Sequence, residues 1–358
     1  MSFFTVSEKP LLIAGPCSAE SKEQVLATAA ALQGLPVRLF RAGVWKPRSR
    51  PGHFEGLGTQ ALEWLAEMKS CYGLPFATEV AEPQHVAAAL QHGADVLWLG
   101  ARTTVNPFDV QRLADSLRGV SIPVMIKNPV SPDVELWLGA IERLEQAGIT
   151  DIAAVHRGFT SYKSSSPFRN APNWPVPIEL RRRRPDLPII CDPSHIAGQR
   201  QGVASVAQKA MDMGFEGLMI ETHPNPEAAL SDAQQQLTPE ALKALLAQLV
   251  IRHTETTGHS SELEHLRQIM DSLDAEIIDL IGRRMELSRA MGSVKKALGM
   301  TAYQPERWRE IVETRSSHAA GKSLPAEFIM ELFQKIHDES IRLQLHILDD
   351  AAQDEPSC

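Results

Sequence analysis

Eight short apolar runs, each ending in residues that carry chemistry, govern what the first 250 residues of this chain can fold into. Pro10 to Ile13 leads into Ala14-Gly15-Pro16-Cys17-Ser18, and Val37 to Phe40 leads into Arg41-Ala-Gly-Val-Trp-Lys46-Pro-Arg48-Ser-Arg-Pro51. Pro75 to Ala77 ends in Thr78-Glu79, and Val96 to Leu99 in Gly100-Ala101-Arg102-Thr103-Thr104. Pro123 to Ile126 ends in Lys127-Asn128-Pro129, and Ile152 to Val155 in His156-Arg157-Gly158. Pro188 to Ile190 ends in Cys191-Asp192-Pro193-Ser194-His195, and Gly217 to Ile220 in Glu221-Thr222-His223-Pro224. Longer stretches of helical periodicity separate the runs. Near-continuous apolar runs joined by crossover helices make a parallel sheet covered on its outer face. Eight repeats can close such a sheet, so the reading is α/β, a (β/α)8 TIM barrel with its chemistry at the C-terminal strand ends. A doubly wound open sheet is the alternative. It would gather its chemistry at one switch point and usually shows a Gly-rich fingerprint, and the chain has neither.

A length of 358 residues suggests two domains. Of 24 prolines only Pro305, Pro325 and Pro356 lie beyond residue 260, and of 22 glycines only Gly282, Gly292, Gly299 and Gly321. The polar stretch His253 to Ser261 between the two regions reads as a linker. The expected division is a barrel over 1–252, a linker over 253–261 and an all-α, long-helix dimeric bundle over 262–358. A net charge of -8 argues against a nucleic-acid partner. Cysteines at 17, 71, 191 and 358 show no paired spacing and suit a reducing compartment. No apolar run reaches membrane-spanning length and the first ten residues have no signal-peptide pattern. The expectation is a cytoplasmic protein without a membrane partner.

The strand-end residues sort by chemistry. Arg41, Lys46, Arg48, Arg102, Lys127 and Arg157 are cations able to meet over the barrel mouth as two anion sites, which suggests a doubly phosphorylated reaction. Cys17, His195, Glu221 and Asp232 offer a thiolate, an imidazole and two carboxylates. That donor mix suits a divalent first-row ion, manganese, iron, cobalt or zinc. Singly each has a bland reading, Cys17 as a small buried hydrophobe, His195 as a core residue and Asp232 as a helix cap. Together, at different strand ends of one barrel, they favour a site. Cys71, Cys191, His156 and His223 stay ambiguous, with structural roles favoured for the two cysteines.

With Ala14-Gly-Pro-Cys-Ser, Lys46-Pro-Arg-Ser, Gly100-Ala-Arg-Thr-Thr, Lys127-Asn, His156-Arg-Gly and Asp192-Pro-Ser-His in place, residues 10–250 resemble 3-deoxy-D-arabino-heptulosonate 7-phosphate (DAHP) synthase of the type I-beta group. The resemblance implies condensation of phosphoenolpyruvate with erythrose 4-phosphate. It implies that Arg41, Lys127, Arg157 and Arg102 hold phosphoenolpyruvate, and that Lys46, Pro47, Arg48 and Ser49 receive the sugar phosphate. Cys17, His195, Glu221 and Asp232 would hold the metal, and Lys127 could also transfer a proton. A sister family acting on arabinose 5-phosphate is the nearest rival, and the Lys46-Pro47-Arg48 clamp argues for the four-carbon sugar. An aldolase using another phosphorylated acceptor is a further reading. The barrel starts within the first dozen residues, so no N-terminal regulatory extension is expected.

From Ser261, apolar Leu263, Leu266, Met270, Leu273, Ile277, Leu280, Ile281, Met285 and Leu287 step mostly by three or four, which predicts a helix of about 37 residues. Further helices are expected near Pro305 and from about Pro325 to Leu348. One such helix cannot bury its stripe alone, so two chains are expected to pair through it as a homodimer. This region holds 12 Lys and Arg against 18 Asp and Glu, so arginines on its faces stand out. The order Leu266-Arg267, Arg283-Arg284-Met-Glu-Leu, Lys295, Glu306-Arg307, then Ser340 and Gln344, resembles the all-helical chorismate mutase family. That resemblance assigns Arg267 of the partner chain and Arg284 to the substrate carboxylates. It sets Lys295 and Gln344 at the ether oxygen and has Arg307 and Ser340 complete the pocket. Trp308 stands where the family usually has an acid that contacts the substrate hydroxyl, and Gln304 replaces a common Asp. The expectation is a bifunctional enzyme that turns chorismate into prephenate in its tail, with the tail also mediating feedback. A non-catalytic sensor or a plain dimerisation module is the alternative for the tail.

Overall fold

A computed structural model of the chain describes residues 2–5, 10–47, 52–160, 166–252 and 261–349. Arg48 and Ser49 of the expected clamp, and residues 253–260 of the expected linker, lie outside the described residues. Ser261 opens a helix and does not end the linker. The chain divides into two compact units, Met1–Thr254 and Glu255–Cys358.

Among the described residues of the first unit, eight parallel strands close into a barrel in chain order. They are β1 (Leu11–Gly15), β2 (Val37–Arg41), β3 (Phe76–Val80), β4 (Val96–Leu99), β5 (Val124–Lys127), β6 (Ile152–His156), β7 (Ile189–Cys191) and β8 (Gly217–Glu221). β1 pairs with β8 from Leu11 opposite Gly217 to Gly15 opposite Glu221, which seals the ring. Side chains alternate between two apolar surroundings. Leu11, Ile13, Leu39, Trp98, Met125 and Met219 fill the interior, while Leu12, Ala14, Phe40, Leu97, Ile126 and Ile220 face the helices. Burial on both faces is why each strand reads as an unbroken apolar run.

The covering helices are α1 (Lys22–Leu32), α2 (Thr59–Tyr72), α3 (Pro83–Gln91), α4 (Ala101–Thr104), α5 (Pro107–Ser116), α6 (Val134–Gln146), α7 (Pro175–Arg183), α8 (Pro193–Ala197), α9 (Arg200–Asp212) and α10 (Pro239–Gln248). Several begin on a side-chain cap: Ser21, Asp133 and Thr238 accept from the backbone N–H groups of Gln24, Leu136 and Ala241. Proline opens α3, α5, α7, α8 and α10, where its missing N–H costs nothing. The base of the barrel is plugged by a segment that no periodicity marks. Ser2 Oγ and the Phe3 N–H each donate to Asp151 at 2.6 Å, and Phe4 is fully buried in the interior cluster.

His156 ends β6 among Phe159, Trp174 and Phe215. Burial, helped by Arg157, pulls its imidazole down to about 3. The unfolded chain, with an ordinary value of about 6.5, therefore binds a proton that the barrel refuses between those two pH values. Barrel stability should fall as pH drops from about 6.5 toward 3. His156→Phe should flatten this acid limb in thermal melts recorded across pH, and an unchanged limb would assign the acid sensitivity to other groups.

In the second unit, α11 (Ser261–Ala297), α12 (Pro305–Ala320) and α13 (Ala326–Asp349) follow the expected boundaries closely. The C-terminal half of α11 packs on α13, with Met285, Ser288, Gly292 and Lys295 buried. A Cβ added at Gly292 would stand 3.2 Å from Gln344 Cα and 3.1 Å from Ile347 Cδ1, so glycine sets the closeness of the two helices. Residues 262–280 of α11 are exposed throughout. Their stripe of Leu263, Leu266, Met270, Leu273, Ile277 and Leu280 is 45–60% open to solvent. An apolar row of that length on one helix marks an interaction surface. Among the described residues no helix is long and apolar enough to cross a membrane.

Candidate active sites

The pairing of β1 with β8 brings the first and last strand ends of the barrel together. Gly15, at φ 146°, lets β1 press against β2, since a Cβ there would stand 2.3 Å from the Arg41 carbonyl oxygen. Cys17 follows directly, and Glu221 ends β8. Donor atoms of Cys17, Glu221 and Asp232 all lie within 4.8 Å of one another. His195, on the short α8 beyond β7, puts Nε2 3.7 Å from Glu221 Oε1 and 3.9 Å from Asp232 Oδ2. The four sequence-predicted metal ligands thus converge. Asp232 sits at φ 49°, a left-handed conformation that a non-glycine residue holds at some cost and that recurs at functional positions.

The donor set fits a first-row divalent ion. Glu221 Oε1 is buried and ion-paired to Arg41 Nη2 at 3.2 Å, yet accepts no aligned hydrogen bond. Burial together with Glu221 and Asp232 pushes the Cys17 thiol up to about 12, the cost of gathering anionic donors with only side-chain cations opposing them. Lys46 is one of those cations, its Nζ donating to Cys17 Sγ and to the Cys17 carbonyl at 3.0 Å each. Burial draws the His195 pKa down, which keeps its imidazole in the neutral ligating form.

Asp192 links this cluster to the cations. Its Oδ2 lies 2.8 Å from His195 Nδ1 and 2.8 Å from Lys127 Nζ, and its Oδ1 caps the His195 N–H at 3.1 Å. A proton on Nδ1 would face this carboxylate and leave Nε2 toward Glu221 and Asp232. Asp192→Asn should weaken divalent-ion affinity by about ten- to a hundredfold, as is usual when the partner of a ligating imidazole is lost. A chelator competition would show it, and unchanged affinity would restrict Asp192 to holding Lys127.

Lys46, Pro47, Arg102, Lys127, Arg157 and Asp232 line one cleft above the cluster. Arg102 reaches across to the Pro47 carbonyl at 3.4 Å. Arg157 is fixed by Asn170 Oδ1 at 2.8 Å, and burial with Arg169 and Arg102 pulls its guanidinium down to about 10. It remains charged at neutral pH and would gain from an incoming anion. Arg41 departs from expectation. It is the last residue of β2 and not part of the following loop, and its guanidinium is buried below the cleft over Trp98, with Nε and Nη1 lacking hydrogen-bond partners. Sequence reasoning missed Asp192, Arg169 and Gln235. Arg169 bonds Asp232 Oδ1 at 3.0 Å, and Gln235 donates to Glu221 Oε2 at 2.7 Å. Asp192 had a usable signal, an acid at a strand end three residues before an imidazole. Of the ambiguous residues, Cys191 is buried, Cys71 is exposed on α2, and His223 lies 3.9 Å from Glu20.

In the helical unit, Arg284, Lys295, Ser340 and Gln344 meet between α11 and α13. Arg284 Nη1 donates to Ser340 Oγ at 2.5 Å and to the Ile336 carbonyl at 3.3 Å, and Ser288 Oγ lies 3.1 Å from Ser340 Oγ. Lys295 is buried, its Nζ donating to the Ala302 carbonyl at 2.6 Å. Arg307 is exposed and ion-paired to Glu310. Arg267 is exposed beside Glu264, 17 residues from Arg284 along α11, about 25 Å of helix. It does not reach the same chain's cluster.

Comparison with known proteins follows this division. The family described as DAHP synthetase I matches residues 6–256, and the family described as chorismate mutase type II matches residues 266–345. A phospho-2-dehydro-3-deoxyheptonate aldolase of Thermotoga maritima is 34% identical over 238 residues, which is 66% of this chain and 68% of that protein. A 2-dehydro-3-deoxyphosphooctonate aldolase of Bordetella petrii is 30% identical over 67% of this chain and 89% of its own length. The crystal structure of the Thermotoga maritima heptonate enzyme superposes with a TM-score of 0.60 at 33% identity, covering 67% of each chain.

Proposed function

Since the chain belongs to the DAHP synthetase I family, we propose that its barrel joins phosphoenolpyruvate to D-erythrose 4-phosphate, giving DAHP and inorganic phosphate. With the mutase segment the protein is a transferase joined to an isomerase, in aromatic amino acid biosynthesis. The observation that carries the barrel reading is the meeting of the Cys17, His195, Glu221 and Asp232 donors with Lys46, Arg102, Lys127 and Arg157 around one mouth. Arg102, Lys127 and Arg157 bind the carboxylate and phosphate of phosphoenolpyruvate. Lys46 and Pro47, with Arg48 and Ser49, receive the sugar phosphate. Arg41 holds Glu221 from below. A divalent ion held by the four donors would supply Lewis acidity toward the sugar aldehyde. Cations on both partners fix the enol carbon against that aldehyde, converting an encounter of two anions into a positioned reaction. Water then adds at C2 of the former enol, and phosphate leaves. Lys127 Nζ donates to Asp192 within the cleft and is placed to deliver a proton.

The test is phosphate release by metal-loaded protein given phosphoenolpyruvate with erythrose 4-phosphate or arabinose 5-phosphate. Release with the four-carbon sugar supports the reading. Release with arabinose 5-phosphate alone would favour the octonate chemistry named for the Bordetella petrii relative.

For the tail, the reading is rearrangement of chorismate to prephenate, for which a preorganised cationic pocket suffices without a nucleophile. Arg267 is supplied by a second copy, which pairs through the exposed stripe of α11 in a homodimer. The distance from Arg267 to Arg284 and the openness of that stripe support this. Chorismate or prephenate bound in the tail would feed back on the barrel, which requires the two sites to be coupled in free energy. A cytoplasmic location suits these phosphorylated substrates. Chorismate consumption, sedimentation, and barrel kinetics with added prephenate test the three parts. Prephenate binding without chorismate turnover would leave the tail a sensor.

A further inference from the structure

Two side-chain atoms in the helical unit are shut off from solvent without a hydrogen-bond partner among the described residues: Nε2 of His337 and Oε1 of Gln344. Both stand on α13, seven residues apart with Ser340 between them, so all three lie along one face. That face meets Arg284, Gly292 and Lys295 of α11, with Arg284 bonded to Ser340 and Gly292 against Gln344. Folded proteins pair nearly all such buried atoms. Two left open on one face beside a pair of cations mark a surface shaped for a ligand that brings a hydrogen-bond donor as well as anionic oxygens.

His337 is also held in orientation. Trp308 of α12 stacks on its ring at 4.5 Å between centroids and 28° between planes, and Tyr303 meets it edge-on at 6.2 Å. Burial, then the nearby Arg284 and Lys295 cations, draw the His337 pKa down, so its ring is uncharged near neutral pH. A neutral nitrogen is the weaker competitor for carboxylates in a pocket that already has two cations. It is well matched to an uncharged hydroxyl, which donates to Nε2 when the ring proton sits on Nδ1.

We propose that His337 is a further substrate-contacting residue of the helical site, pairing Nε2 with a hydroxyl oxygen of the ligand while Arg284 and Lys295 take its anionic oxygens. Trp308 is then a positioning residue that fixes the ring plane. This rests on the reading of the tail as a chorismate site, and chorismate carries both carboxylates and a ring hydroxyl.

The experiment compares full-length wild type with His337→Phe, His337→Gln, Trp308→Phe and Trp308→Ala. It measures kcat and KM for chorismate, calorimetric binding of prephenate, and thermal melting. His337→Phe keeps a stacking ring but loses the nitrogen, and should lose about tenfold or more in kcat/KM. His337→Gln restores a hydrogen-bonding group and should stay within about threefold of wild type. Trp308→Phe should behave like wild type, whereas Trp308→Ala should lose turnover. Equal activity of His337→Phe and wild type overturns the proposal, as does equal impairment of both His337 variants with lowered melting, which would mark a structural role. If wild type binds prephenate without converting chorismate, the same pattern is expected in Kd. If wild type does neither, the chorismate reading fails and this proposal falls with it.

Discussion

Cys17→Ala should release no measurable phosphate from phosphoenolpyruvate and erythrose 4-phosphate, a loss of about a thousandfold or more, because three remaining donors leave an open, weaker site. The variant should also purify with less divalent metal, read by elemental analysis. The wild-type geometry adds a pH signature. The metal-free thiol is pushed up to about 12 by burial, Glu221 and Asp232, so it carries its proton throughout the neutral range. An ion that takes Cys17 as a thiolate must displace that proton, so apparent affinity should rise with pH, about tenfold per unit between pH 6 and 8. His195 adds no second proton there because burial keeps it neutral. In Cys17→Ala the slope should vanish. A variant that keeps both metal and phosphate release would remove Cys17 from the ligand set and return it to the core, where its full burial would be reason enough for a small apolar residue.

Arg284→Ala should cut chorismate turnover by about a hundredfold or more, the usual consequence of removing one preorganised cationic donor. Its Nη1 already bonds Ser340 and the Ile336 carbonyl, so the guanidinium is oriented before any ligand arrives. Arg284→Lys should recover little, because an ammonium cannot reproduce a fork that holds two protein oxygens and faces a ligand together. Folding should be largely spared, since the side chain is only half-buried, and circular dichroism and melting would verify this. Near-normal turnover in Arg284→Ala would place the chemistry elsewhere or show that the observed chorismate loss belongs to a contaminant.

The barrel was legible because each strand is buried on two faces and each loop begins with a charged or ligating residue, so period and chemistry coincide along the sequence. The four candidate metal donors were legible for the same reason: Cys17, His195 and Glu221 stand at or just beyond strand ends, and Asp232 follows the last one. Residues acting from elsewhere were hidden. Arg169 and Gln235 reach the site from loops whose path no periodicity encodes, and Phe4 closes the base because its neighbours Ser2 and Phe3 are bonded to the far-off Asp151. Arg41 closes β2 where the sequence reading began the loop with it, since the last residue of a strand and the first of a loop look alike in sequence. In the tail, the resemblance to the helical mutase family pointed to Arg284, Lys295, Ser340 and Gln344, which helical spacing alone would leave as a solvated face. It passed over His337 because a histidine on an amphipathic helix carries no signal until a partner such as Trp308 is seen lying on it.

The seam between β1 and β8 has a consequence for how the protein is made. Cys17 emerges from the ribosome early, but Glu221 and Asp232 emerge more than two hundred residues later, so no partial product contains the four-donor centre. Contacts so distant along a chain form late, because the intervening loop must first be ordered. The cationic half of the mouth, Arg41 to Arg157, is synthesised in between and waits without its acidic counterpart. A divalent ion that needs all four donors would therefore be captured only as the ring closes, and a stalled or clipped barrel would lack a complete site.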